Sequence, residues 1–477
     1  AYDNAARYLE QAIEAAAELD RPAEKVTLLE ELGDMRLNAG RREETIRAYE
    51  DAVHLWKSLP AASPQDGARL YRKLGEVARW GWRTPRTREY IQEGLRLLEG
   101  TPDSSDRVKL MIAQAFEYYW HRREADVDYS AAEASAREAI ALAQATGSLE
   151  DMSAALDALA GIYWQTAEFP KMRAVTEERG PILERLDNSF ETLDYLNMLA
   201  RAQTFLGDFA GAAASGRRAQ TEAEKFAGDF GLLYTCADQA WLSMLWNRWT
   251  DVDLWCDRYD EIQRRGGYNL PLYRRVTAYR ALGRAVRGDR EAAREALRSI
   301  VDAPRWASPA MAWSVPFSHL VPGIVLGDRE ACAPLLDESL RLAETPSAKL
   351  EVQRIALEYA ARFQQWEVTD RWGEDTLARA RRSEAKPYIA QCCRALASHR
   401  RATDRLEEAE TLISEAVRLF GDLDCPWDLG LALRELAMLR RIQGRMKDAE
   451  AALQEALSLF ERNGARPDAE ETGALLS

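Results

Sequence analysis

Four histidines, six cysteines, and many arginines and tryptophans are the side chains with the means to do chemistry in this chain. His54, His121, His319 and His399 are scattered, and none sits in an HExxH or paired-His spacing, so neither a metal centre nor an imidazole base is expected. The cysteines at 236, 256, 332, 392, 393 and 425 form no CxxC pair and no Cys/His ligand set. They are expected to be small buried hydrophobes of a reducing compartment. No GxxxxGK[ST], GxGxxG or GxSxG occurs, so no nucleotide site and no cofactor is expected, and catalysis would require residues from distant stretches to converge. The chain is expected not to be an enzyme.

Arginine and tryptophan carry the remaining signal. Doublets recur at Arg122-Arg123, Arg264-Arg265, Arg274-Arg275, Arg381-Arg382, Arg400-Arg401 and Arg440-Arg441, where cations at helix C-termini would complement the helix dipole and cap free carbonyls. An anion-recognising rim is the alternative, best placed at Arg79, Arg83, Arg86 and Arg88, interleaved with Trp80 and Trp82. Of 14 tryptophans, ten fall from Trp80 to Trp313, among them Trp241, Trp246, Trp249 and Trp255. Single rings among them would fill gaps between helices; several on one face would make a pocket for a peptide or small ligand.

The 477 residues are 47% apolar and 30% charged, as in a folded protein. Against 64 Lys and Arg stand 78 Asp and Glu, a formal charge of -14, which disfavours a nucleic-acid partner. No run of about 18 apolar residues is present, so no membrane span is expected, and without a secretory start the chain is expected to be cytoplasmic. It begins without Met, inside what reads as a repeat. It is therefore expected to be a piece of a longer protein.

What must position these residues is a helical array. Residues 26–59 read as two amphipathic helices with a turn at Asn38-Ala39-Gly40, and small residues mark their contact: Leu32-Gly33 on one side, Ala48, Tyr49 and Ala52 on the other. The last small position recurs at Ala12, Ala52, Gly94, Ala139, Arg179, Ala219, Tyr259, Ile300, Ser339, Thr376, Ala416 and Ala456. That period of about 40 gives eleven helix pairs after an orphan helix at 2–19. HEAT and armadillo arrays share the period, but small-residue columns on both helices match the tetratricopeptide pattern. An all-α, right-handed solenoid with helices longer than in the usual 34-residue repeat is expected.

Two places break the period. Residues 124–129 carry extra length, and Pro304, Pro309, Pro316, Pro322 and Pro334 crowd one repeat, which must be kinked, shortened or re-registered because proline removes a helix hydrogen bond. The expected division is a first array at 1–302, a proline-rich hinge at 303–334 and a second array at 335–477.

In a tetratricopeptide superhelix the first helix of each pair lines the concave surface. In this register that points Arg72, Arg79, Tyr118, Trp164, Asn197, Arg201, Tyr234, Trp241 and Phe317 into the groove. The stretches AARYLEQAIEAAAELDRPAEKVTLLEELGDM and LQEALSLFERNGARPDAEET resemble the arrays attached to bacterial STAND-class signal-transduction ATPases, including adenylate-cyclase-linked and maltotriose-responsive activators. The resemblance implies a C-terminal sensor that meets a protein, peptide or small-molecule effector and releases an upstream ATPase module. This chain departs from the full pattern, with no ATPase, cyclase or DNA-binding segment. The alternative is a scaffold or oligomerisation module that uses its outer face or end helices.

Overall fold

The computed structural model describes residues 2–38, 41–79, 86–102, 104–120, 128–225, 229–266, 272–301 and 314–477. Among them are 24 α-helices and no strand, in two compact units, Ala1–Ile162 and Tyr163–Ser477. The first unit holds α1 (Tyr2–Glu18), α2 (Pro22–Asn38), α3 (Arg42–Lys57), α4 (Pro64–Arg79), α5 (Thr87–Leu97), α6 (Ser105–Trp120), α7 (Tyr129–Thr146) and most of α8 (Leu149–Gln165). The second holds α9 (Phe169–Leu186), α10 (Ser189–Leu206), α11 (Phe209–Lys225), α12 (Asp229–Leu245), α13 (Trp249–Gly266), α14 (Leu272–Val286), α15 (Arg290–Val301) and α16 (Ser314–Leu326). It continues through α17 (Arg329–Leu342), α18 (Pro346–Phe363), α19 (Trp366–Arg382), α20 (Lys386–Ala402), α21 (Leu406–Asp422), α22 (Pro426–Ile442), α23 (Met446–Asn463) and α24 (Arg466–Leu476).

In each unit even-numbered helices pack on the helix that follows, and α4 and those from α10 to α20 pack also on the next even-numbered one, as α4 does on α5 and α6, and α20 on α21 and α22. This is the two-helix stacking of a tetratricopeptide-like α-solenoid. The small-residue column explains it. From Ala52 to Ala456 every position of the recurring column is buried. At the start of the array a Cβ on Gly33 would lie 2.2 Å from the Tyr49 ring. Only a glycine lets α2 approach α3 that closely, and Tyr49 fills the space while its hydroxyl donates to Asp34 at 2.6 Å.

A finer period lies beneath the repeat. Gly147, Ala167, Asp187, Gly207 and Asn247, then Gln364, Glu384, Asp404, Asp424, Gly444 and Gly464, all have positive φ, mostly twenty residues apart. Helices of 17 or 18 residues ended by one left-handed residue account for both numbers. The Gly40 turn lies outside the described residues, as do 302–313 with Pro304 and Pro309. The described part of the proline-rich stretch, 314–334, falls in the second unit. There Pro322 and Pro334 are accommodated inside α16 and α17, and Phe317, Leu320, Ile324, Cys332 and Leu336 join α18 in one apolar cluster.

The second unit also winds back on itself. The turn before α11 meets the region around α20: a Cβ on Gly207 would lie 2.5 Å from Leu423 and 3.3 Å from Lys386. One repeat further, Asn247 donates from Nδ2 to Asp428 Oδ2 at 3.0 Å, and its Oδ1 accepts from the Asp428 backbone N–H at 3.1 Å. Trp249 Nε1 donates to Asn463 at 2.5 Å, and its ring stands edge-on to Trp427 with centroids 5.7 Å apart. Next in register, Gly288 meets Arg466 and Pro467. The turns after α10, α12 and α14 therefore dock on those before α20, α22 and α24. The partners are 181 residues apart at Asn247 and Asp428, about four and a half periods.

Candidate functional site

Because the second unit closes, its first helices face one another across a narrow interior. A polar and aromatic ladder runs along them in steps of 37 residues: Trp164, Arg201, Asp238, Arg275. Arg201 lies over the Trp164 ring at 4.6 Å and donates to Asp238 Oδ2 at 2.7 Å. A second ladder on later repeats starts at Glu351, which accepts from Arg354 at 3.0 Å and from the Tyr388 hydroxyl. Arg354 also donates to Gln391 at 2.6 Å. Burial, followed by the Glu351 charge, raises the Tyr388 phenol well above its usual value. Between the ladders lies an aromatic stack, with Phe169 on Phe205 at 3.8 Å and Phe205 edge-on to Trp241 at 4.9 Å and to Tyr388 at 5.9 Å.

These groups enclose a cavity of about 40 Å³. Trp164, Arg201, Phe205, Trp241 and Arg275 line one side, and the first turn of α18 with Glu351 lines the other. Such a space takes a group of a few heavy atoms. Trp241 is 3% exposed, and its buried Nε1–H has no hydrogen-bond partner. Arg275 donates from Nε to the Tyr279 hydroxyl at 3.1 Å and lies over that ring. Burial pushes the Tyr279 phenol up to about 12, with Arg275 opposing.

Of the nine residues expected in a groove, Trp164, Arg201 and Trp241 meet at this cavity. Asn197 instead ties α10 to α12, accepting from Thr235 at 2.8 Å. Tyr234 is half-buried on α12, its phenol raised by burial. Phe317 is buried in the cluster of α16 to α18. Arg72 belongs to the first unit, bound to Asp106 at 2.6 Å and Glu76 at 2.7 Å. The side chains of Arg79 and Tyr118 lie outside the described residues, as do Trp80, Trp82, Arg83, His121 and the Arg122-Arg123 doublet. Asp238, Arg275 and Glu351 are the charged lining residues that the repeat rule missed. Two of them were within reach, Asp238 one 37-residue step beyond the expected Arg201 and Arg275 two steps beyond it.

The arginine doublets divide. Arg264-Arg265, Arg381-Arg382, Arg400-Arg401 and Arg440-Arg441 sit in last turns, where they complement the helix dipole. Arg274-Arg275 does not: it stands in the first turn of α14, with Arg275 turned to the cavity instead of to a helix end. All six cysteines are buried and unpaired, and burial pushes the thiols of Cys236, Cys256, Cys332 and Cys392 up to about 12. Among the described residues no cluster of His, Cys, Asp and Glu has metal-site geometry, and no helix is long and apolar enough to cross a membrane.

No family model matches the sequence, and no curated protein matches it. Among solved structures the chain is similar to the crystal structure of the APC/C hetero-tetramer Cut9-Hcn1, at 12% identity and a TM-score of 0.47, over 98% of this chain and 96% of that one.

Proposed function

We propose that the chain is a non-catalytic recognition module, a tetratricopeptide-like sensor region of a larger bacterial signalling protein, and that it holds part of its trigger inside the second unit. The observation that carries this is the convergence of Trp164, Arg201, Trp241 and Arg275 from four successive first helices, with α18, on one cavity. Aromatic walls supply contact area and the arginines supply direction, the combination that recognition sites use. At about 40 Å³ the cavity suits a small molecule or a single projecting group, and an extended peptide backbone would need the unit to open. The upstream ATPase module is the partner that the sequence resemblance proposes.

The test is a screen of small metabolites and short peptides by thermal shift and intrinsic tryptophan fluorescence, repeated on Trp241→Ala. A ligand whose signal weakens about tenfold or more in the variant supports the site. Binding that is unchanged in Trp241→Ala would remove the cavity from the account. A scaffolding role through the outer face, where Leu254 is 61% and Met446 59% exposed, would show as self-association in sedimentation that survives the same change.

A further inference from the structure

Three features of the cavity call for an occupant rich in hydrogen-bond acceptors. Arg275 is half-buried and bound only to the Tyr279 hydroxyl and ring, with no ion pair among the described residues. Trp241 presents a buried N–H without a partner. Across from them, Thr345 caps α18 by accepting from the Ala348 backbone N–H at 3.1 Å, and Thr345, Ser347 and Ala348 line the cavity. The positive end of a helix therefore faces the same space.

The charged residues that line it, Arg201, Arg275, Asp238 and Glu351, balance in number, but not in contact. Arg201 is matched by Asp238 at 2.7 Å and Glu351 by Arg354 at 3.0 Å; Arg275 feels both carboxylates through space but has neither in direct contact, so its guanidinium is the cation still open to a close partner. A single carboxylate would supply that partner, and the volume admits only a small group. A planar carboxylate also fits the fork of a guanidinium, while Trp164, Phe205 and Trp241 offer apolar walls to a short substituent.

We infer that the cavity binds the carboxylate of a small monocarboxylic acid or of a peptide C-terminus, with Arg275, the Trp241 N–H and the start of α18 as its donors. This rests on the cavity being the recognition site. A cationic or neutral occupant would give Arg275 no direct charge partner.

The experiment titrates the full chain with propanoate, its neutral isostere propanamide, and N-acetylalanine against N-acetylalaninamide, read by tryptophan fluorescence and melting temperature. Either carboxylate should bind at least about tenfold more tightly than its amide. A signal from propanoate identifies a free acid, and one confined to N-acetylalanine identifies a chain terminus. Arg275→Gln should lose about tenfold or more in carboxylate affinity while Arg275→Lys keeps part of it. Trp241→Phe, which preserves the ring but removes the N–H, tests the site separately if Arg275→Gln does not fold, and should weaken carboxylate binding several-fold. Equal binding of acid and amide, or undiminished carboxylate affinity in Arg275→Gln or Trp241→Phe, overturns the inference. If neutral compounds from the wider screen bind in a Trp241-dependent way while carboxylates do not, the ligand class falls and the recognition site stands. If nothing binds in a Trp241-dependent way, both fall.

Discussion

The α2–α3 hairpin and the α12–α13 edge are built from the same two-helix unit, yet they are held by different kinds of contact. Gly33 and Tyr49 are 16 positions apart, and the hydrogen bonds and ion pairs around them in the first unit join a repeat to itself or to the next one, as Arg69 does with Glu30 at 2.9 Å. Asn247 and Trp249 find Asp428 and Asn463 across 181 and 214 residues. In an unstructured chain, closing a loop of that size costs about 2 kcal/mol more than closing one of hairpin size. The contact thus forms only once the intervening helices have stacked. A solenoid is ordinarily a sum of neighbour terms; the second unit adds a term between non-neighbours, and that term encloses the cavity.

The strongest break of this comparison is Asp428→Ala. Asp428 is 2% exposed and accepts from Arg394 at 2.7 Å as well as from Asn247, so its loss leaves the buried Arg394 with Glu358 alone, at 2.8 Å, and removes the partner of the Asn247 amide. A cost of about 2–4 kcal/mol is expected. All six cysteines lie in the second unit, so thiol labelling during urea unfolding reports on that unit, and the variant should become reactive at lower urea. Labelling at the wild-type midpoint would mean that the two edges merely touch.

Gly33→Leu sharpens the other side. Overpacking against Tyr49 should cost about 1–3 kcal/mol, lowering the far-UV circular dichroism transition of the first unit while the thiol midpoint stays in place. If both move together, the units do not unfold independently. A variant that moves neither would show that the close approach of α2 and α3 is not under strain.

The smallest effect expected is a pH dependence confined to the second unit. His399 is 3% exposed, its Nδ1 lies 2.8 Å from Arg400 Nη1, and burial chiefly holds its pKa below the ordinary 6.5. The fold therefore favours neutral imidazole. Its contribution is complete above the unfolded value of 6.5 and is lost as pH falls through the lower folded value. Between about pH 7 and pH 5 the wild type should lose stability relative to His399→Gln by less than about 1 kcal/mol. Parallel pH profiles for the two proteins would show that Asp370, 3.2 Å from Nε2, offsets the burial.

How much was legible depends on the range of each interaction. Ala52, Ala219 and Ala456 could be placed from the sequence because a helix contact repeats wherever small residues repeat, and the same register brought Trp164, Arg201 and Trp241 to the interior. Phe317 went to the core instead, buried in the apolar cluster that α16 forms with α17 and α18. Asp238 and Arg275 were within reach of the 37-residue step but look like ordinary surface charges until their partners are known.

The sequence alone determined the helices, the pairing of each with its neighbour, and the buried character of the cysteines, because all three follow from local periodicity and small-residue spacing. Only the tertiary structure decided that the second unit closes, that Asn247 meets Asp428, and that Arg275 shares a cavity with Glu351. Each depends on small rotations accumulated over several repeats, about two between Arg275 and Glu351 and between four and five for the closure at Asn247. No single repeat encodes that sum.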